Sequence, residues 1–198
     1  MSGSVDSVLQ VKISLLGTSK PLVWRRLLVP ATIQLDQLHE VIQATMGWED
    51  CHMHAFADGS SEYGLADPEL GHRDERKTTL GRLLKQEGER IRYTYDFGDN
   101  WEHEIVVEKV LVAEPGVRHP VCLAGKGACP PEDCGGVWGY EHLREVLADP
   151  VDEEHAEMLE WLGLQTAAEF DTARFDVDEI NRALGSGDDA RTAVKRAA

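Results

Sequence analysis

Hydrophobic and polar positions alternate twice in residues 91–107, on either side of an Asp/Gly/Asn-rich break. Ile91, Tyr93, Tyr95 and Phe97 alternate with Arg90, Arg92, Thr94 and Asp96. Beyond the break Trp101, His103, Ile105 and Val107 alternate with Glu102, Glu104 and Glu108. Period-two patterning on both sides of a turn predicts an antiparallel β-hairpin with one face buried. His103 falls on the apolar face. It is either a hydrogen-bonded core histidine or a polar group placed at the edge of a pocket.

The same reading extends along the chain. Residues 1–7 form a loose leader, after which Leu9, Val11, Ile13 and Leu15 alternate with Gln10, Lys12 and Ser14 as a half-buried strand. Gly17 to Pro21 turn the chain, and residues 22–29 return as a second strand with Trp24, Arg25 and Arg26, closed by Pro30. From Thr32 the period becomes helical: Ile33, Leu35, Leu38, Val41, Ile42 and Met46 share one face, and Gly47 stops the helix. His52, His54 and Phe56 lie on one side of a further strand, with Cys51, Met53 and Ala55 on the other. Asp58-Gly59-Ser60 turns it into a short return strand near Tyr63. The polar run from Asp67 to Lys77 reads as a loop, and Leu80, Leu83 and Leu84 as a short helix capped by Thr78 or Thr79.

After Val112 the residues through Gly136 are too rich in Gly, Pro and Cys for a helix or a central strand. A long irregular stretch inside a compact domain is often functional. Three helices are predicted beyond it. The first, residues 138–147, buries Trp138, Leu143, Val146 and Leu147; the second covers 153–162 with Trp161, and the third 177–184. The fold class is therefore α+β, a mainly antiparallel sheet built from hairpins with flanking helices and a helical C-terminal third. One domain is expected over 8–184, with a disordered tail over 185–198.

Composition narrows the functional classes. The 198 residues carry a formal charge of −16, and no basic cluster offsets it, which argues against direct binding to a phosphate backbone. No run approaches the ~18 apolar residues of a membrane span, and no secretory leader is recognisable, so a cytoplasmic location is expected. Thiols there stay reduced. That leaves burial or metal binding, rather than disulfides, for Cys51, Cys122, Cys129 and Cys134.

Three groups of residues could carry chemistry. The H-x-H pair His52 and His54 projects from one strand face ~7 Å apart and, with Asp96, Asp99 and His103, could hold a transition metal if the strands pair suitably. Against this, Asp96 and Asp99 have the ordinary role of shaping the turn. Cys122, Cys129 and Cys134, with His119 or His142, could form a structural zinc knot, although the C-x6-C-x4-C spacing lacks the C-x2-C pair of standard fingers. The third group is Glu132, Asp133, Gly135 and Gly136, which lead into a helix whose N-terminus could take an anion or be capped by those carboxylates. Trp101 joins Asp96, Asp99 and His103 as a candidate binding residue of the hairpin. No nucleophile elbow or phosphate-binding P-loop is present.

The blocks PLVWRRLLVP (21–30), LDQLHEVIQATMGW (35–48), HMHAF (52–56), YTYDFGDNWEHEIVVEK (93–109) and CPPEDCGGVWGYEHL (129–143) together resemble the plasmid pRiA-type Orf-three-like family. That family occurs on plasmids, in transposable elements and in bacterial and archaeal chromosomes. The resemblance implies an α+β domain of antiparallel strands with flanking helices, and a mobile-element setting that hints at an accessory role. It implies no activity and no catalytic residues.

The residues and the resemblance together point to a binding or accessory module, with no established catalytic activity, that presents the Asp96–His103 hairpin and the Cys122–Gly136 loop to a protein partner. The alternative is a metal-dependent hydrolase with His52, His54, Asp99 and His103 as ligands and Glu102 or Glu104 as base; zinc is the cofactor to consider.

Overall fold

A computed structural model of the chain describes residues 7–66, 71–113 and 119–186. One eight-stranded sheet runs through them. Its strands are β1 (Ser7–Leu15), β2 (Trp24–Pro30), β3 (His54–Ala57), β4 (Glu62–Gly64), β5 (Arg73–Asp74), β6 (Arg90–Tyr95), β7 (Trp101–Val112) and β8 (Val121–Lys126). They lie side by side in the order β5-β4-β3-β6-β7-β1-β2-β8, all antiparallel except β4 with β5. The helices are α1 (Leu35–Met46), α2 (Leu80–Leu83), α3 (Gly136–Ala148), α4 (His155–Leu162) and α5 (Val177–Ala183). The architecture is α+β with helices concentrated toward the C-terminal end, and no helix among the described residues is long and apolar enough to cross a membrane.

The predicted hairpin forms at the middle of the sheet. Tyr93 pairs with His103 and Tyr95 with Trp101, and all four side chains point into the core. On the other face the alternation places charged ladders, with Arg90 against Glu104 at 3.2 Å and Arg92 against Glu102 at 3.4 Å. Such exposed pairs add little stability but keep that face solvated. Farther along it, Arg26 grips both carboxylate oxygens of Glu108, and Val8, Leu28 and Val121 form a separate small apolar cluster.

The inner face is covered by α1. Leu35, Leu38, Ile42 and Met46 are buried at helical spacing, and Gly47 ends the helix in the left-handed region at φ 91°, its N–H donating to Gln43 O. β3 pairs with β6 in a register that sets His54 opposite Tyr95. This register brings the histidine strand beside the hairpin turn.

Several elements differ from expectation. The Gly/Pro/Cys segment contains β8, which is admissible because β8 is an edge strand with one neighbour. The polar loop before Thr78 contains β5 and a 3-10 turn, Glu75–Lys77. Trp138, expected inward, is 87% exposed, because α3 turns Tyr140, Leu143, Val146 and Leu147 to the core. Trp161 and Phe97 are likewise on the surface. Ser186 is buried with its hydroxyl on Pro120 O. Residues 1–6 of the leader and 187–198 of the tail lie outside the described residues.

The loop before α3 is packed against its helix without space for a side chain between them. A Cβ at Gly139 would collide with the backbone carbonyl of Cys134. Gly139→Ala should gain about 1 kcal/mol of helix propensity but lose about 1–3 kcal/mol to the clash. Urea denaturation is expected to show a net loss of stability; a gain would contradict this packing.

Candidate functional site

Three segments meet at His52. The residue sits just before β3, Asp96 opens the turn of the central hairpin, and Glu132 and Asp133 belong to the loop that precedes α3. His52 Nε2 lies 3.1 Å from Asp133 Oδ1, 3.7 Å from Asp96 Oδ2 and 3.9 Å from Glu132 Oε2. Donor atoms sharing one small divalent ion at ~2.0–2.2 Å are themselves about 3.0–3.5 Å apart; His52, Asp96 and Asp133 offer ligand atoms within 4.8 Å of one another, and Glu132 joins His52 in a second such group with Cys51. Neither His52 Nε2 nor Glu132 Oε2, both shielded from solvent, has a hydrogen bond among the described residues. Among the described residues no Lys or Arg joins the three carboxylates in an ion pair.

Two of the carboxylates are held from behind. Glu132 Oε1 accepts hydrogen bonds from the Glu49 N–H at 2.9 Å and the Tyr95 hydroxyl at 3.0 Å, which leaves Oε2 to face His52. Burial holds the Tyr95 hydroxyl well above its ordinary range, so it remains a donor. Asp96 divides its oxygens: Oδ1 accepts from the Gly98 N–H at 2.8 Å and shapes the turn, while Oδ2 is the atom toward His52. The turn-forming and site-forming roles are thus carried by different atoms of one carboxylate. Asp96 and Asp133 both take the left-handed region, at φ 52° and 55°. Aspartate tolerates that region better than most residues, at some cost.

The other candidate residues have other partners. Asp99 Oδ2 accepts from the Gly135 N–H at 3.1 Å, so the hairpin itself supplies a negative group to the α3 N-terminus. A Cβ at Gly136 would meet the Asp99 carbonyl oxygen. Trp101 is fully buried. His103 is also fully buried, with Nδ1 3.0 Å from Trp101 O, and its ring lies edge-on to Trp48. His54 Nε2 is 2.8 Å from the buried carboxylate of Glu75. Cys122 is buried in β8, where its backbone is clasped by the Asn181 side chain. Burial pushes the Cys122 thiol up to about 11 and the Cys134 thiol up to about 12, and raises Cys129 further. Among the described residues none of these three joins a group of metal-compatible geometry.

A second histidine group lies nearby. His39, Asp50 and His54 also offer ligand atoms within 4.8 Å of one another. The two imidazoles are stacked, however, with centroids 3.4 Å apart and planes 6° from parallel. Imidazole lone pairs lie in the ring plane, so an ion shared by both would sit far out of each plane. Both rings are already engaged, His39 with Tyr93 and Asp50 and His54 with Glu75. The His52 cluster is the better ligand set.

Comparison with known proteins places the chain in a family. The sequence pattern of the plasmid pRiA4b ORF-3-like proteins matches residues 7–179. The chain belongs to the plasmid pRiA4b ORF-3-like family. It is similar to the uncharacterised protein y4hQ of Sinorhizobium fredii (strain NBRC 101917 / NGR234), 42% identical over 183 residues that cover 91% of this chain and 92% of that one. It is also similar to the protein of unknown function MM3350 from Methanosarcina mazei Go1, whose crystal structure matches with a TM-score of 0.78 and 38% identity, covering 89% of this chain and 98% of that chain.

In this member of the ORF-3-like family, sequence reasoning overlooked the residues that orient the others. Tyr95 and the Glu49 N–H fix Glu132, and Trp48 Nε1–H donates to Pro130 O at 3.0 Å. His39 had a legible signal, since it lies on the inward stripe of α1 between Leu35 and Ile42. Glu75, inside the charged run RDERK, had none.

His103 gives the site region a pH dependence. Burial lowers its pKa from 6.5 to about 4. Between those values the unfolded chain binds the proton and the folded chain does not, so stability falls as pH drops from about 6.5 toward 4. The full loss is on the order of 3 kcal/mol. Urea denaturation of wild type and His103→Leu between pH 7.5 and 4.5 is expected to show a shallower pH slope in the variant; equal slopes would contradict a neutral buried imidazole.

Proposed function

We propose that this protein is a metal-dependent binding module, in which a divalent transition ion held by His52 and by carboxylates drawn from Asp96, Glu132 and Asp133 ties the Cys122–Gly136 loop to the central hairpin. The observation that carries this reading is the convergence of three carboxylates on His52 Nε2, with Glu132 Oε2 buried and unbonded. Carboxylates gathered in a part-buried site repel one another, and one imidazolium offsets only a single charge. A divalent ion supplies the missing positive charge and uses the orphaned lone pairs. An imidazole with carboxylates suits zinc or manganese.

The bound module would present its hairpin and loop to a protein partner. Support comes from Phe97, 46% exposed in the hairpin turn, and from Trp138 in the first turn of α3, since exposed aromatics favour protein contacts. The net charge of −16 opposes a nucleic-acid partner. Four unpaired cysteines suit a reducing cytoplasm, where an accessory role beside mobile elements fits the family.

A metal-dependent hydrolase is the second reading, favoured by the 68% exposure of the Asp133 side chain, which leaves one side of the cluster open to water. It lacks a base from the residues expected to provide one. Glu102 and Glu104 pair with Arg92 and Arg90 on the far face of the sheet.

Elemental analysis and calorimetric titration of untagged, chelator-free protein test the proposal. About one zinc or manganese ion per chain is expected, with affinity reduced more than ~10-fold in His52→Ala and in Glu132→Gln. Absence of binding by wild type, or unchanged affinity in both variants, would overturn it.

A further inference from the structure

The residue before His52 adds a different kind of donor. The thiol of Cys51, a ring nitrogen of His52 and a carboxylate oxygen of Glu132 lie within 4.8 Å of one another. This set shares His52 with the group formed by Asp96 and Asp133, but contributes sulfur where that group contributes only oxygen. Cys51 is exposed and makes no disulfide.

The backbone under Cys51 is fixed, which makes the direction of its side chain informative. Asp50 takes the left-handed region at φ 55°, and its N–H donates to Gln43 Oε1 at 3.0 Å. The Cys51 N–H then donates to the Tyr95 hydroxyl at 3.2 Å, and Sγ lies 3.8 Å from the same oxygen. That hydroxyl also donates to Glu132 Oε1. One tyrosine therefore sets the positions of a sulfur and a carboxylate on either side of His52.

We infer that Cys51 and His52, completed to four ligands by two of the neighbouring carboxylates, hold the ion, and that the sulfur makes zinc, rather than manganese, the ion the site selects. The inference rests on the proposed metal site. Thiolate ligands favour zinc, whereas carboxylates with imidazole also accept manganese. In a four-coordinate site with zinc–sulfur bonds of ~2.3 Å and zinc–nitrogen bonds of ~2.0–2.1 Å, sulfur and nitrogen stand about 3.6 Å apart. The Cys51 sulfur lies within 4.8 Å of the His52 nitrogen and the Glu132 oxygen and belongs to an exposed residue. On binding, the thiol proton passes to solvent as the sulfur–zinc bond forms.

Titration of the full chain with Co²⁺, a spectroscopic stand-in for zinc, tests this. Wild type should show visible ligand-field bands together with a near-ultraviolet thiolate-to-cobalt charge-transfer band. Cys51→Ser should keep ligand-field bands, lose the charge-transfer band and bind zinc more than ~10-fold more weakly, with manganese affinity changed less than ~3-fold. Ligand-field bands in wild type without a charge-transfer band, or a charge-transfer band that survives in Cys51→Ser, would overturn the role of Cys51 and leave the His52 site standing. If no cobalt bands appear in wild type, or if they persist undiminished in His52→Ala, the site at His52 itself falls.

Discussion

Trp48 is the fastening on which the site depends. Its ring packs against Tyr95, Trp101 and His103 of the central hairpin, and its indole N–H donates to Pro130 O. One side chain thereby connects the end of α1, the buried face of the hairpin and the loop before α3. The hydrogen bond is buried, where an unpaired indole N–H would be costly, so the loop carbonyl is specified in position as well as attracted. Glu132 lies two residues beyond Pro130. The Tyr95 hydroxyl and Glu49 N–H then determine which of its oxygens faces His52.

The physical consequence is a concentration of negative charge that the described residues leave without a basic partner. Elsewhere the chain pairs its carboxylates readily, as Glu108 with Arg26 and Asp74 with Arg76 and Lys77. At His52 three carboxylates meet one imidazole. Both aspartates among them adopt left-handed backbone conformations, and Asp50 close by adopts a third. Unpaired charge and conformational cost in the same place are the usual marks of a site kept for function, and a divalent ion is the simplest group that accounts for both.

Much of this was legible in the residues because it rests on periodicity. The alternation about the Asp96–Asn100 turn identified the hairpin, and the stripe from Leu35 to Met46 identified α1. Chemistry-bearing residues were also visible as types: His52, Asp96, Glu132 and Asp133 all stood out. What the sequence did not contain was their association, because His52 and Asp133 are 81 positions apart and meet only through the β3–β6 register and the Trp48 contact. His52 and His54 were adjacent candidates by spacing, yet they take different partners. Trp138 misled for a related reason: an aromatic residue in an amphipathic helix suggests burial, but the helix has a small inward stripe that Tyr140, Leu143 and Leu147 already fill.

Anomalous X-ray diffraction from crystals grown with zinc, recorded on both sides of the zinc absorption edge, addresses the central claim most directly. The account expects one strong peak about 2.0–2.2 Å from His52 Nε2 and from oxygens of at least two of Asp96, Glu132 and Asp133. A featureless map at His52, or a peak at the stacked His39–His54 pair or among Cys122, Cys129 and Cys134 instead, would contradict it.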